Sequence, residues 1–302
     1  MPTQEETAAT IAAHAVRGHR TALFAHGVRV LCKIVAVLAL ARLVTPADHG
    51  LYAMAASVTL LLTVFRDLGL GAAALQAAHL DEETETALWW AHLTLGGGLA
   101  LLTLALAPVA IWFYDDSRLG PLLALMSLSF VFLGANGWPR VLLARRLQFV
   151  TLSRLETNAV LLATGAMIAA GAAGAGAYAF AIFLLIFEGS LMVTAWRASE
   201  WRPQTPGRWA KLTSLLPAGF ALTGFHLILY LSVQVETLAI GKWFGPRLLG
   251  LYNRSAQLLL LPTLHIANPL GQVLLAALTR MDHDAPEFRA QIRDTAGLVL
   301  HL

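Results

Sequence analysis

The sequence predicts an all-α integral membrane protein made of duplicated six-helix transmembrane bundles, the second of them incomplete. Three observations lead there. Of the 302 residues, 57% are hydrophobic and only 13% are charged, whereas a soluble domain carries about 25% charged residues. The apolar residues fall into runs of roughly 20, the length that crosses a bilayer as a helix. Finally, one short motif is written twice: "LARLVTPADHGLY" (Leu40 to Tyr52) returns as "IGKWFGPRLLGLY" (Ile240 to Tyr252). Pro46 matches Pro246, Gly50 matches Gly250, Leu51-Tyr52 match Leu251-Tyr252, and Arg42 matches Lys242 in charge.

Taken in order, residues 1–20 form a polar, alanine-rich segment, and the first apolar run covers 21–44. That run is too long for a signal-peptide core and no cleavage site follows it, so it reads as an uncleaved first span. Further spans are expected near 50–77, 87–112, 119–138, 150–171 and 176–196, which complete a first bundle over 21–196. The polar stretch "WRASEWRPQTPGRWAKL" (Trp196 to Leu212) breaks helix at Pro203, Pro206 and Gly207, making 197–211 a linker between bundles. Spans near 212–241 and 248–276 and the start of a ninth near Thr295 make 212–302 a partial second bundle. An even number of spans between the motif copies puts both on one face, so the repeat is parallel, related by an axis along the membrane normal. A complete second half would extend well past residue 302.

Lys and Arg set the orientation. With the N-terminus cytoplasmic, thirteen basic residues lie inside, among them Arg17, Arg20, Arg140, Arg145, Arg146, Arg197 and Arg202. Only Arg42, Arg118, Lys242 and Arg247 lie outside. All eight tryptophans fall at expected span ends, where aromatic belts form. The pI near 9.3 therefore reflects membrane sidedness, and no nucleic-acid partner is expected. One cysteine, Cys32, excludes a disulfide framework or cysteine-based metal site. No cofactor or metal is expected.

With the elements placed, the segments "LARLVTPADHGLYAM", "DLGLGAAALQ" (Asp67 to Gln76), "LGLYNRSAQLLLLP" (Leu249 to Pro262) and "NPLGQVLLAALTR" (Asn268 to Arg280) resemble the polysaccharide-transporter (O-antigen, Wzx-type flippase) family. That family belongs to the multidrug/oligosaccharidyl-lipid/polysaccharide exporter superfamily, and the chain resembles the N-terminal two-thirds of a usual member. The resemblance implies a non-enzyme of the bacterial inner membrane that flips a polyprenyl-pyrophosphate-linked oligosaccharide by alternating access. Its partners would be that lipid-linked oligosaccharide, membrane lipid, and a coupling H⁺ or Na⁺. A drug exporter of the same superfamily, a membrane glycosyltransferase or polymerase, and an inactive fragment are the alternatives; short connections disfavour an enzyme.

Span 1 carries His26, Arg29 and Lys33 on one helical face. Lys33 lies roughly 18 Å deep, counting from Thr21 at 1.5 Å per residue. A cation there costs about 2.5–3.5 kcal/mol against lipid, so Arg29 and Lys33 face either a cavity for an anionic substrate or an ion-pair partner. Arg254 in span 8 either snorkels or, as the resemblance implies, joins them as a substrate-binding cation. Glu236 in span 7 and Glu188 in span 6 are intramembrane carboxylates, candidates for ion coupling or gating, or else neutralisers of a cation. "GGG" at Gly96 to Gly98 lacks the Lys-Ser/Thr of a phosphate loop and reads as close helix packing. "DHD" at Asp282 to Asp284 precedes Pro286 and reads as a helix cap.

Overall fold

The computed structural model of the chain describes residues 4–66, 68–77, 79–203 and 216–262. The ninth span, "NPLGQVLLAALTR", "DHD" and most of the linker lie outside the described residues. Eight helices and no strand occur among those described: α1 (Gln4–Leu43), α2 (Pro46–Thr63), α3 (Leu70–Gln76), α4 (Glu82–Tyr114), α5 (Leu119–Arg145), α6 (Phe149–Ala172), α7 (Tyr178–Ser199) and α8 (Leu216–Pro262). Six are long and apolar enough to cross a membrane. The molecule is an all-α, multi-pass membrane protein.

Helix boundaries follow local chemistry. Thr45 caps α2 by accepting the Asp48 amide at 3.1 Å, and Pro46 occupies the first helical position, where its missing N–H goes unneeded. Asp81 caps α4 through the Thr84 amide at 3.0 Å. Asp115 and Glu200 end α4 and α7 in the left-handed region, the usual stop for a helix.

One expected span is not a continuous helix, and a second break falls between two expected spans. The run 50–77 breaks after Thr63, turns through Leu68 (φ 47°) and Gly69 (φ 74°), and restarts as α3. Arg145, from the end of α5, donates to the carbonyls of Ala77 (2.8 Å) and Ala74 and so caps that short helix. Residues 216–262 are joined by one break, at Gly245 (φ 76°, ψ 178°), immediately before Pro246. Thr45 (φ −70°, ψ 155°) holds the same non-helical place before Pro46. Both motif copies therefore interrupt the helix just before the proline, a position where the helical region is disfavoured, though with different backbone angles.

The chain divides into two compact units, 1–250 and 251–302, and only 251–262 of the second is described. In the first unit α4 pairs with α5, α5 with α7, α7 with α6 and α6 with α1, while α2 packs on α4, α5 and α7. Met54, Leu119, Leu122, Leu123, Met126 and Leu249 are fully buried in its main core. The α4–α5 crossing is glycine-mediated: a methyl on Gly96 would lie 2.4 Å from the Phe130 carbonyl oxygen, and one on Gly134 would lie 2.5 Å from that of His92. Gly97 and Gly98 meet nothing within 4 Å, so one glycine of the three does the packing.

Tryptophan placement departs from a simple belt. Trp112 and Trp243 are 78% and 75% exposed, as belt residues should be, and Trp209 lies outside the described residues. Trp138, however, is completely buried. It joins Trp89, Trp196 and Trp201 in a cluster of edge-to-face and tilted pairs at the Arg145 end of the bundle. Trp89 and Trp196 both donate to the Ala135 carbonyl, at 3.2 and 2.9 Å. Helix α5 continues past residue 138, which carries this indole inside rather than leaving it at the rim.

Candidate functional site

The two motif copies touch each other. A methyl on Gly50 would fall 1.7 Å from the carbonyl oxygen of Pro246, and one on Gly250 would fall 1.8 Å from that of Pro46. Proline and glycine stand at i and i+4, so both lie on one face of each first helical turn. The contact is reciprocal, the mark of two elements related by a two-fold axis. Only hydrogen at each glycine Cα lets the backbones approach this closely.

Below this seam the contact continues through side chains. Gly241 abuts the Tyr114 ring, where a methyl would lie 2.7 Å from Cε1, and Lys242 Nζ sits 5.3 Å from the centroid of Phe113. The Ser57 hydroxyl donates to the Met54 carbonyl at 2.7 Å, so the Tyr114 hydroxyl, 2.9 Å away, donates to Ser57. Tyr230 from α8 donates to the Ser57 carbonyl. Sequence reasoning missed Ser57, Tyr114 and Tyr230, because nothing in a single span marks which hydroxyls will meet.

On α1 the two cations separate in role. Arg29 is partly buried and its Nη1 donates to α6, reaching Thr157 Oγ1 (3.1 Å), Ser153 Oγ (3.3 Å) and the Ser153 carbonyl (3.4 Å). These are neutral acceptors, so the guanidinium keeps its charge uncompensated by them. Lys33, one turn on, is exposed beside the exposed apolar residues Leu31, Ile34 and Val35. Glu236 is exposed on α8, and Arg254 is partly buried in 251–262.

Glu188 goes elsewhere. Asn136 of α5, 1% exposed, donates its Nδ2 to Glu188 Oε2 at 3.1 Å. One turn along α5, Arg140 pairs with Glu156 of α6 at 2.7 Å. Asn136, Arg140 and Glu156 line a cavity of about 250 Å³ within the first bundle, with Arg66 and His92. His92 is buried and its Nδ1 donates to the Leu88 carbonyl at 2.7 Å. The sequence marked Glu188 but not this company: Arg140 reads from sequence only as a cation of the basic side. At the Pro46 end of the bundle, the Arg118 guanidinium holds Asp116 below the usual carboxylate range through bonds of 2.7 and 3.0 Å.

A helical multi-pass membrane protein whose repeated proline–glycine corners meet back to back is the class this fold defines. A family model described as "Polysaccharide biosynthesis protein" matches residues 39–302, and the chain belongs to that family. Similar proteins include the teichuronic acid biosynthesis protein TuaB of Bacillus subtilis (strain 168), 25% identical over 214 residues, covering 70% of this chain and 44% of TuaB. The lipopolysaccharide biosynthesis protein WzxC of Escherichia coli (strain K12) is 22% identical over 274 residues, 88% of this chain and 54% of WzxC. The succinoglycan biosynthesis transport protein ExoT of Rhizobium meliloti (strain 1021) is 23% identical over 257 residues, 83% of this chain and 51% of ExoT. The chain spans about half the length of the curated relatives it matches. No solved structure matches it.

Proposed function

We propose that the protein is a transporter, not an enzyme, that flips a lipid-linked oligosaccharide across the bacterial inner membrane by alternating access. The N-terminus is cytoplasmic in this reading, and residues 21–196 and 212–302 belong to separate bundles joined by the linker 197–211. The proline–glycine seam then lies on the outer side and represents outer closure. Arg29, Lys33 and Arg254 hold the pyrophosphate of the polyprenyl carrier, and Glu236 and Glu188 serve coupling to H⁺ or Na⁺ or gate those cations.

The observation that carries the reading is Lys33. It stands nine residues from Phe24 and ten from Leu43, the ends of the apolar segment (33 − 24 = 9; 43 − 33 = 10), and it is exposed. A mid-membrane ammonium turned to lipid is costly, whereas one turned to a polar cavity is a ready phosphate partner. Arg29, held in place by α6 hydroxyls, adds a guanidinium suited to bidentate phosphate contact. The family membership supports the polysaccharide side of the reading.

The test is complementation in cells lacking the chromosomal gene. Lys33→Ala is expected to reach the membrane at parental abundance and to abolish polysaccharide export, while Lys33→Arg preserves part of it. A folded Lys33→Ala protein exporting at the parental rate would overturn the assignment.

A further inference from the structure

We propose that the Asn136–Glu188 pair, whose Asn136 lines the cavity inside the first bundle, is a proton-binding site, with Glu188 as the carrier and Asn136 as the group that holds its protonated form. Its use in coupling rests on the transporter reading; the site itself does not.

Asn136 carries an orphan acceptor. Asn136 is 1% exposed and lines the cavity, and its Nδ2 already donates to Glu188 Oε2 at 3.1 Å. Its Oδ1 is buried and has no hydrogen-bond partner among the described residues. A buried acceptor without a donor is strongly disfavoured, so such an atom signals a missing partner. An ionised carboxylate beside it cannot help, since it only accepts. A protonated Glu188 can: its O–H donates to Oδ1 while Nδ2 still donates to the other oxygen, closing a two-bond acid–amide ring. The amide is therefore complementary to the acid form and only half satisfied by the anion.

The surroundings supply the opposite pull. Arg66 and Arg140 line the same cavity, and Arg140 lies one turn from Asn136 on α5, bonded to Glu156 at 2.7 Å. Guanidinium groups favour the ionised Glu188, and His92, whose Nδ1 is committed to the Leu88 carbonyl, faces the cavity from α4. Two states of comparable free energy are what a proton carrier needs. In the loading step a hydronium ion transfers H⁺ to the Glu188 carboxylate and leaves as water, so the Asn136–Glu188 site gains one positive charge and nothing is oxidised or reduced. Arg140 keeps its ion pair with Glu156. A metal cation is a poor fit, because two guanidinium groups repel it and the described residues hold no cluster of three His, Cys, Asp or Glu.

The probe is dicyclohexylcarbodiimide, which modifies protonated carboxyls in apolar surroundings, applied to native membranes containing the protein. Adducts on Glu188 are read by mass spectrometry between roughly pH 5 and pH 9. Labelling is expected to decline as pH rises, because only the protonated carboxyl reacts. Arg140→Gln is expected to raise labelling at the alkaline end, because it removes the charge that favours the anion. Sodium at fixed pH is expected to leave labelling unchanged. Labelling that is absent throughout, or independent of pH, would overturn the proposal in favour of a purely structural Asn136–Glu188 contact. The readout needs no transport, so a titrating Glu188 in a protein that flips nothing would refute only the functional reading.

Discussion

Replacing Gly50 with alanine should hold the Pro46–Pro246 seam open. The new methyl would lie 1.7 Å from the Pro246 carbonyl oxygen, where ordinary contact begins near 3.4 Å, so the two backbones must separate by about 1.7 Å (3.4 − 1.7). No flexible side chain is available to yield, because the clashing atoms at Pro246 are backbone. Overpacking of this kind costs about 1–3 kcal/mol. Alanine's better helix propensity favours the open and closed states alike, so it offsets none of this, and at least about 1–2 kcal/mol stands against closure. That shifts the closed-to-open ratio by roughly 5- to 30-fold. Met54 reports on it: it is fully buried and sits one turn below Gly50 on the same helix face. With Cys32 replaced by alanine and Met54 by cysteine, a membrane-impermeant maleimide should react about 5- to 30-fold faster in the Gly50→Ala protein. Gly250→Ala should do the same, and the double variant should show less than the sum, since both act on one contact. Gly97→Ala, which meets nothing, should leave the rate alone. An unchanged rate in Gly50→Ala would refute the claim that this contact closes the bundle end.

Two further outcomes follow from the same geometry. Gly96→Ala should lower detergent-solubilised thermal stability by about 1–3 kcal/mol through the Phe130 backbone, whereas Gly98→Ala should be neutral or stabilise by about 0.4–1 kcal/mol. Asp116 has its folded-state value depressed by Arg118, so its stabilising contribution is present above the ordinary carboxylate value of about 3.9 and is lost as pH falls through the lower folded value. Because Arg118 is 54% exposed, Asp116→Asn should cost no more than about 1 kcal/mol near neutral pH, and its unfolding curve should converge on the parental one in acid.

How much of this was legible in the sequence depended on the kind of signal. Span lengths and the repeated corner were visible because hydropathy and proline–glycine punctuation are local, and Thr45–Pro46 and Gly245–Pro246 bend the chain where the motif copies place them. Helix faces were not. In a bilayer the lipid-facing side is as apolar as the packed side, so Gly96 and Gly98 look alike in sequence and differ completely in surroundings. Trp138 looks like a rim residue in sequence for the same reason, and its burial depends on α5 running on to Arg145. Of the candidate site residues, Glu188 stood out as an intramembrane carboxylate, but Asn136 lies 52 positions away and no local pattern joins them. Helical spacing pairs Arg29 with Lys33, yet its hydrogen bonds run to Ser153 and Thr157, a choice made by the α1–α6 packing.

The most direct test of the central claim is the transbilayer position of the lipid-linked oligosaccharide itself. In spheroplasts expressing the gene, a membrane-impermeant glycosidase should reach the polyprenyl-linked sugars at the outer leaflet. In spheroplasts depleted of the gene product, the same lipid should accumulate in protected form, and Lys33→Ala should behave like the depleted cells. An accessible fraction that is the same with and without the protein would contradict the flippase assignment.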